Sequence, residues 1–190
     1  PTHRIPTRRA IINRRDLVEE LEEQVRGGQD PLRVRSNALQ IFKAALYRGV
    51  GEIRRRFEEE GIRGPQAVHS NAYLVDQLVR CIYDFANKHV YPTAQSGGAE
   101  MAILATGGYG RSELSPFSDI DLMFLMPQQA PADSERIVEY ILYMLWDCGL
   151  KVGHATRTIE QCVELARADL TIRSCLLEAR WLWGSADLYA

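Results

Sequence analysis

Two glycines, Gly107 and Gly108, and two aspartates, Asp119 and Asp121, are the residues whose type and spacing could do chemistry here. Ten residues separate the two pairs. On a strand, residues i and i+2 point the same way with Cα atoms roughly 6.6 Å apart, so Asp119 and Asp121 can converge on one or two divalent ions. Mg²⁺ favours oxygen donors and commonly takes one or two carboxylates together with phosphate oxygens. Without a cation, two close carboxylates repel and one of them titrates at raised pH. Gly107 and Gly108 follow the apolar run 101–106, and glycine accepts a positive φ and a close approach of ligand to backbone. Successive N–H groups at such a turn can form an anion-binding nest, helped by a nearby helix N-terminus. Neither half is specific alone, because Asp-x-Asp and Gly-Gly are both common in ordinary turns. Strand, glycine pair, spacer and strand-borne carboxylates together point to metal-assisted chemistry on a nucleoside triphosphate.

Two other phosphate motifs are excluded. No Gly-Lys-Ser/Thr follows the glycines, as a P-loop requires, and Gly108-Tyr109-Gly110 has Glu113 where a dinucleotide fingerprint needs a third glycine. The elements that must position the four residues read as follows. A buried strand covers 101–106, and Arg111, Ser112 and Glu113 form a stretch able to open a short helix. A second strand carries the aspartates, with Ile120, Leu122 and Phe124 on its core-facing side. Pro127 and Pro131 mark a loop, Asp133 or Ser134 caps a helix running to Asp147, and Gly149 is its C′ residue. A third strand covers 151–157, a capping box spans Thr158 to Gln161, and Asp169 caps the last helix. Trp181 and Trp183 are expected to pack the end of that helix rather than to stack a base.

The first half reads as helical. A basic lead (Arg4, Arg8, Arg9, Arg14, Arg15) precedes a helix over 16–26 that Gly27-Gly28 ends. Leu39, Phe42, Leu46, Val50, Ile53 and Phe57 form a helical stripe within 33–60. Its end carries Arg54, Arg55 and Arg56 before Glu58, Glu59 and Glu60, three i,i+4 pairs on an expected solvated face. Gly61 and Gly64-Pro65 break that helix. Val68, Ala72, Val75, Leu78, Ile82, Phe85 and Val90 mark the next one, with His69 and His89 as surface or packing residues. Tyr91-Pro92 and Gly97-Gly98 then lead into the chemical half. The division is a helical region over 1–95 and a catalytic domain over 96–190, the latter expected to be truncated at its C-terminal end.

With 190 residues the chain can build a sizeable core or a small catalytic domain with a helical annex. A net charge of −2 argues against nucleic acid as the main partner. No run of 18 apolar residues exists to span a membrane, and no apolar stretch follows the basic lead to make a signal peptide. The four cysteines (Cys81, Cys148, Cys162, Cys175) lack metal-ligand spacing and read as reduced thiols of a cytoplasmic protein. The start at Pro1 rather than methionine reads as a fragment.

The glycine pair followed by Asp-x-Asp resembles the nucleotidyltransferase superfamily that includes DNA polymerase beta. More narrowly, GGYGRSELSPFSDIDL and the later LWDCGLKVGHATRTIEQCVELARADLTIRSCLLEARWLWG resemble the bacterial PII uridylyltransferase/uridylyl-removing enzymes, with the close likeness running over residues 105–184. The glutamine synthetase adenylyltransferases share the glycine and aspartate pattern. Their next strand, however, normally carries a Val-Asp-Leu-Arg type element where this chain has Val152-Gly153-His154-Ala155.

The resemblance implies an α+β fold: a polymerase-beta-like domain with a small mixed sheet flanked by helices, beside the N-terminal helical region. It implies Mg²⁺-dependent transfer of UMP from UTP to a tyrosine of the PII signalling protein. Asp119 and Asp121 would be catalytic and metal-holding, and Gly107, Gly108, Arg111 and Ser118 would contact the nucleotide. The superfamily usually adds a third carboxylate on a later strand, but 151–157 offers none. Asp169 and, more weakly, Asp147 are substitutes, and His154 could serve proton transfer, contact nucleotide or simply pack. No His-Asp doublet occurs, so the uridylyl-removing activity and the glutamine response of the longer relatives are not expected here. The competing readings are a related nucleotidyltransferase with another acceptor, adenylyltransferase-like, and a non-catalytic interaction module.

Overall fold

Pro31 and Gly64-Pro65 start the two long helices that dominate the first half, and apolar runs without helical period build the sheet of the second. The computed structural model describes residues 5–26, 30–92, 101–131 and 133–190. The Gly27-Gly28 helix end, the Gly97-Gly98 stretch and the boundary between residues 95 and 96 lie outside the described residues.

The helical layer comprises α1 (Arg8–Ile11), α2 (Arg14–Val25), α3 (Pro31–Glu59) and α4 (Gly64–Phe85), which continues into a π-helical turn (Ala86–Val90). Proline suits the first turn of α3 because its missing N–H would find no helical partner there. The Gln66 side chain accepts from the Arg63 N–H at 2.9 Å and closes the start of α4. Phe42 and Ile53 of α3 and Leu74, Leu78 and Ile82 of α4 are buried in one cluster. His89 is a packing histidine, 2.9 Å from Glu22 Oε1 and against the Phe85 ring.

The solvated Arg/Glu face is only partly realised. Arg54 pairs with Glu58 at 2.8 Å and Arg55 with Glu59 at 3.8 Å. The third expected pair, Arg56 with Glu60, does not form. Arg56 is 4% exposed and turns inward, to Glu52 at 2.7 Å and to the carbonyls of Pro6 and Thr7 at 2.7 and 3.2 Å. A buried guanidinium needs several acceptors, and the N-terminal segment supplies two that helical spacing cannot reveal.

The remaining elements are β1 (Ala102–Ala105), α5 (Gly107–Gly110), β2 (Ile120–Met126), α6 (Ser134–Asp147), β3 (Val152–Thr158), α7 (Ile159–Ala168), α8 (Leu170–Leu177) and β4 (Arg180–Gly184). The sheet runs β3-β2-β1-β4, with β2 and β3 parallel and β1 antiparallel to both β2 and β4. The fold class is the expected α+β, with a small mixed sheet flanked by helices. Gly149 follows α6 at φ +86, and Thr158 and Gln161 form the capping box that starts α7. Asp169 caps α8 by accepting from the N–H groups of Thr171 and Ile172 at 2.7 and 3.3 Å.

Two expectations fail in the second half. Trp181 and Trp183 do not pack the end of the last helix. They lie on β4, opposite Leu104 and Ile103 of β1, because β1 would otherwise expose an unpaired edge. The short helix does not open at Arg111 but consists of the glycine segment itself, Gly107–Gly110. The cysteines are free, and burial pushes the Cys81 and Cys148 thiols up to about 11.

Strand alternation separates the sheet into two faces. Ile103, Ile120, Leu122 and Phe124 join the main cluster with α4 and with Ile137 and Ile141 of α6. Ala102, Leu104, Met123 and Leu125 form a smaller cluster with Cys162 of α7, flanked by Leu176 of α8. Asp121 shares the parity of Met123 and Leu125, so it stands on the thinly covered face.

Candidate active site

The glycine turn is built by the end of β1. The Thr106 N–H donates to the Asp121 carbonyl at 3.0 Å, extending the β1–β2 ladder to Asp121. Gly107 then takes φ +58, a conformation that side-chain-bearing residues rarely adopt. One helical turn follows, and Gly110 donates to the Thr106 carbonyl at 2.9 Å. The first N–H groups of such a turn have no intrahelical acceptor, which leaves them for a ligand.

What holds the turn lies far away in sequence. The Tyr109 ring is buried beneath it, and its hydroxyl donates to Asp76 Oδ1 of α4 at 2.8 Å. Burial first, then the Asp76 charge, pushes the Tyr109 pKa well above its usual value. Arg180 of β4 donates to both Asp76 oxygens at 2.8 and 3.1 Å, and to the carbonyls of Gly110 and Tyr109 at 3.1 and 3.2 Å. A Cβ at Gly110 would stand 2.2 Å from the Glu178 carbonyl oxygen, so no side chain fits between the turn and the entry to β4. Helix α4, the turn and β4 are thus pinned through one carboxylate and one guanidinium.

The carboxylates sit against the glycines. A Cβ on Gly107 would lie 3.1 Å from Asp121 Oδ2, and one on Gly153, the register partner of Asp121 on β3, would lie 2.8 Å from Oδ1. Desolvation by these close backbones, followed by the negative charge of Asp119, raises the Asp121 pKa above 3.8. Among the described residues, no hydrogen bond or salt bridge engages the Asp119 or Asp121 side chain. Two adjacent carboxylates with unclaimed oxygens fit Mg²⁺, whose remaining positions are commonly filled by phosphate and water. No group of three metal-ligating side chains occurs among the described residues.

The other expected residues fall out differently. Arg111 donates to Glu113 at 3.1 Å and to Glu178 at 2.7 Å, and its Nη2 would be 3.7 Å from a Cβ on Gly108. Its guanidinium folds over the glycine turn while held by two carboxylates, whose hydrogen bonds raise its pKa further. Ser118 donates its hydroxyl to the Ser115 carbonyl at 2.8 Å, closing a turn beside Asp119. His69 reaches the same loop, with Nδ1 2.7 Å from the Ser112 carbonyl oxygen.

The proposed third acids are engaged elsewhere. The Asp169 carboxylate caps α8, and those backbone hydrogen bonds lower its pKa. Asp147 lies 3.8 Å from Arg35 of the helical layer. His154 is in register with Leu122, which assigns it to the face opposite Asp121, and its ring meets Trp146 of α6 edge-on at 6.0 Å. It is exposed, and it does not share a face with Asp121.

Sequence reasoning missed Asp76 and Arg180, which are 104 residues apart, and it missed the steric role of Gly153. A carboxylate inside an apolar helical stripe and an arginine opening an aromatic run were the available signals.

The comparisons with known proteins agree with this geometry. Residues 95–182 match the nucleotidyltransferase domain family. The chain is 49% identical over 187 residues to a bifunctional uridylyltransferase/uridylyl-removing enzyme of Rhodospirillum rubrum. It is 46% identical over 189 residues to the enzyme of that description from Azospirillum brasilense, and 42% identical over 187 residues to that from Novosphingobium aromaticivorans. These alignments cover 98–99% of this chain but only 20% of each relative. The chain thus spans about a fifth of the length of the curated relatives it matches.

Proposed function

We propose that the chain is a part of a bifunctional uridylyltransferase/uridylyl-removing enzyme, to which it is similar along nearly its whole length, and that it carries the transferase chemistry. The reaction is Mg²⁺-dependent movement of UMP from UTP to a tyrosine hydroxyl of the PII signalling protein, in bacterial nitrogen regulation. Pyrophosphate leaves, and the setting is the cytoplasm. No described helix is long and apolar enough to cross a membrane, and the chain's net charge of −2 gives nucleic acid no general attraction.

The observation that carries this reading is the contact of the two half-motifs, with Gly107 within 3.1 Å (Cβ position) of Asp121 Oδ2. A phosphate chain lying on the glycine turn is thereby delivered to the carboxylates. Asp119 and Asp121 would hold the metal. When bound, Mg²⁺ neutralises phosphate charge and stabilises the attacking and leaving oxygens of an in-line displacement.

The N–H groups opening the glycine turn orient the phosphates, and Asp76 with Arg180 keeps those groups fixed. Preorganised donors of this kind lose little in reorganisation when charge develops. A tyrosine hydroxyl has an ordinary pKa near ~10, so at neutral pH it needs a metal to stabilise its oxygen or a base to take its proton, and Asp119 and Asp121 are the groups that would hold the one or act as the other. Asp119 and Asp121 are both exposed, so the pair is accessible to an incoming acceptor.

The test is nucleotide titration with Mg²⁺ followed by transfer to PII. Selective use of UTP and loss of binding in Asp121→Asn support the reading. A preference for ATP would move the chain to the adenylyltransferase-like alternative, and metal binding unaffected by both aspartate substitutions would mark a non-catalytic module.

A further inference from the structure

Phe117 combines two unfavourable features that no contact among the described residues offsets. Its side chain is 99% exposed, and its backbone lies at φ +67. Other strongly exposed apolar residues, such as Tyr47, Leu170 and Leu177, sit on helices and need no special backbone.

The strain has a local origin. The Ser118 N–H donates to the Ser115 carbonyl at 3.2 Å, and the Ser118 hydroxyl donates to the same oxygen at 2.8 Å, closing a β-turn over 115–118. Pro116 takes the second position and Phe117 the third. A turn with positive φ at its third position favours glycine or asparagine there. Phenylalanine is a poor choice both for the backbone and for the water around it. Strained, exposed positions of this kind cluster where a ligand or partner is engaged.

The location narrows the partner. Phe117 stands two residues before Asp119, so whatever covers its ring lies next to the reacting carboxylate. A nucleobase is the first alternative, since aromatic rings stack bases. Ligand pockets, however, bury most of a small ligand between walls, and a ring exposed at 99% lies in no cleft of the described residues. A rigid, protruding aromatic is instead the form of an anchor that fills a pocket on another protein.

We propose that Phe117 is the docking knob for the protein acceptor. It inserts into an apolar socket next to the acceptor hydroxyl and so sets that hydroxyl against Asp119 and Asp121. This rests on the reading that the site modifies a protein.

The experiment compares the full enzyme with Phe117→Gly and Phe117→Ala, using PII as acceptor. Glycine relieves the backbone strain, so a folding defect does not obscure the result. KM for PII should rise about tenfold in both variants, with kcat and the Mg·UTP dissociation constant within about twofold of wild type. Phe117→Tyr should retain the wild-type KM. An unchanged KM in the glycine and alanine variants overturns the proposal. So does weaker Mg·UTP binding in step with the higher KM, since that makes Phe117 a base platform. Should the wild-type enzyme bind Mg·UTP yet transfer nothing to PII, the functional reading fails. Direct binding of PII then decides the knob separately, and equal affinity for wild type and Phe117→Gly overturns it.

Discussion

The two faces of the sheet differ in what covers them. One carries Ile103, Ile120, Leu122 and Phe124 into the main cluster with α4 and α6, and several of its side chains are fully buried. The other has a small cluster around Met123 and Leu125, and its rim is Asp121, Gly153 and the glycine turn. Adjacent residues of one strand, Asp121 and Leu122, thus serve different ends. Stability is concentrated on the helix-covered face, while the open face keeps a repulsive carboxylate pair that does not favour folding.

That division is broken or sharpened first by substitutions on either side of β2. Asp119→Asn and Asp121→Asn should each lower UMP transfer on the order of 10²–10³-fold, as loss of a preorganised charged group does. Their chemical denaturation midpoints should match or exceed that of wild type. Phe124→Ala should do the reverse, costing about 3–5 kcal/mol of stability for a fully buried ring. Urea titration beside turnover separates the two patterns, and a large stability loss in Asp121→Asn would erase the distinction between the faces.

Asp76 and Arg180 join the faces, so their loss should register in both measurements. Asp76→Ala leaves Arg180 and Tyr109 without their shared acceptor and should cost about 3 kcal/mol or more, with weaker Mg·UTP binding because the glycine turn loosens. Gly153→Ala is narrower. Its methyl would lie 2.8 Å from Asp121 Oδ1, so Mg·UTP affinity should fall about 10–100-fold, the range for disturbed support of a metal ligand. A circular-dichroism melt should remain near that of wild type.

The smallest effect is a matter of sign with pH. Asp121 has a raised folded-state pKa, so the native state holds its proton more tightly. Its contribution to stability is lost as pH rises from 3.8 through the folded value. Wild type should therefore lose ground to Asp121→Asn over that window. Glu52, in the helical layer, is held at about 2 by hydrogen bonds from Arg55 and Arg56. Its stabilisation is present above 4.5 and lost as pH falls toward 2, and Glu52→Gln should remove that acid-side loss. Denaturation midpoints measured from pH 2 to 7 check both signs.

Much of the fold around the candidate site was legible because its signals are local. The parity of Ile120, Leu122 and Phe124, the Gly149 helix stop and the Thr158–Gln161 box follow from spacings of two to four residues. The elements that escaped depend on distant partners. Trp181 and Trp183 could not be given to a strand without knowing that β1 had an open edge. Arg56 could not be turned inward without the carbonyls of Pro6 and Thr7. The missing third acid became intelligible only through register, which sets Gly153 against Asp121 and sends His154 to the other face.

The most direct measurement is calorimetric titration of UTP into the wild-type chain and Asp121→Asn, with and without Mg²⁺. UTP should bind wild type only when Mg²⁺ is present, and substitution of Asp121 should abolish that binding. Equal Mg·UTP affinity in the two proteins, or no nucleotide binding by wild type under any condition, would contradict a catalytic site built from the glycine turn and the aspartate pair.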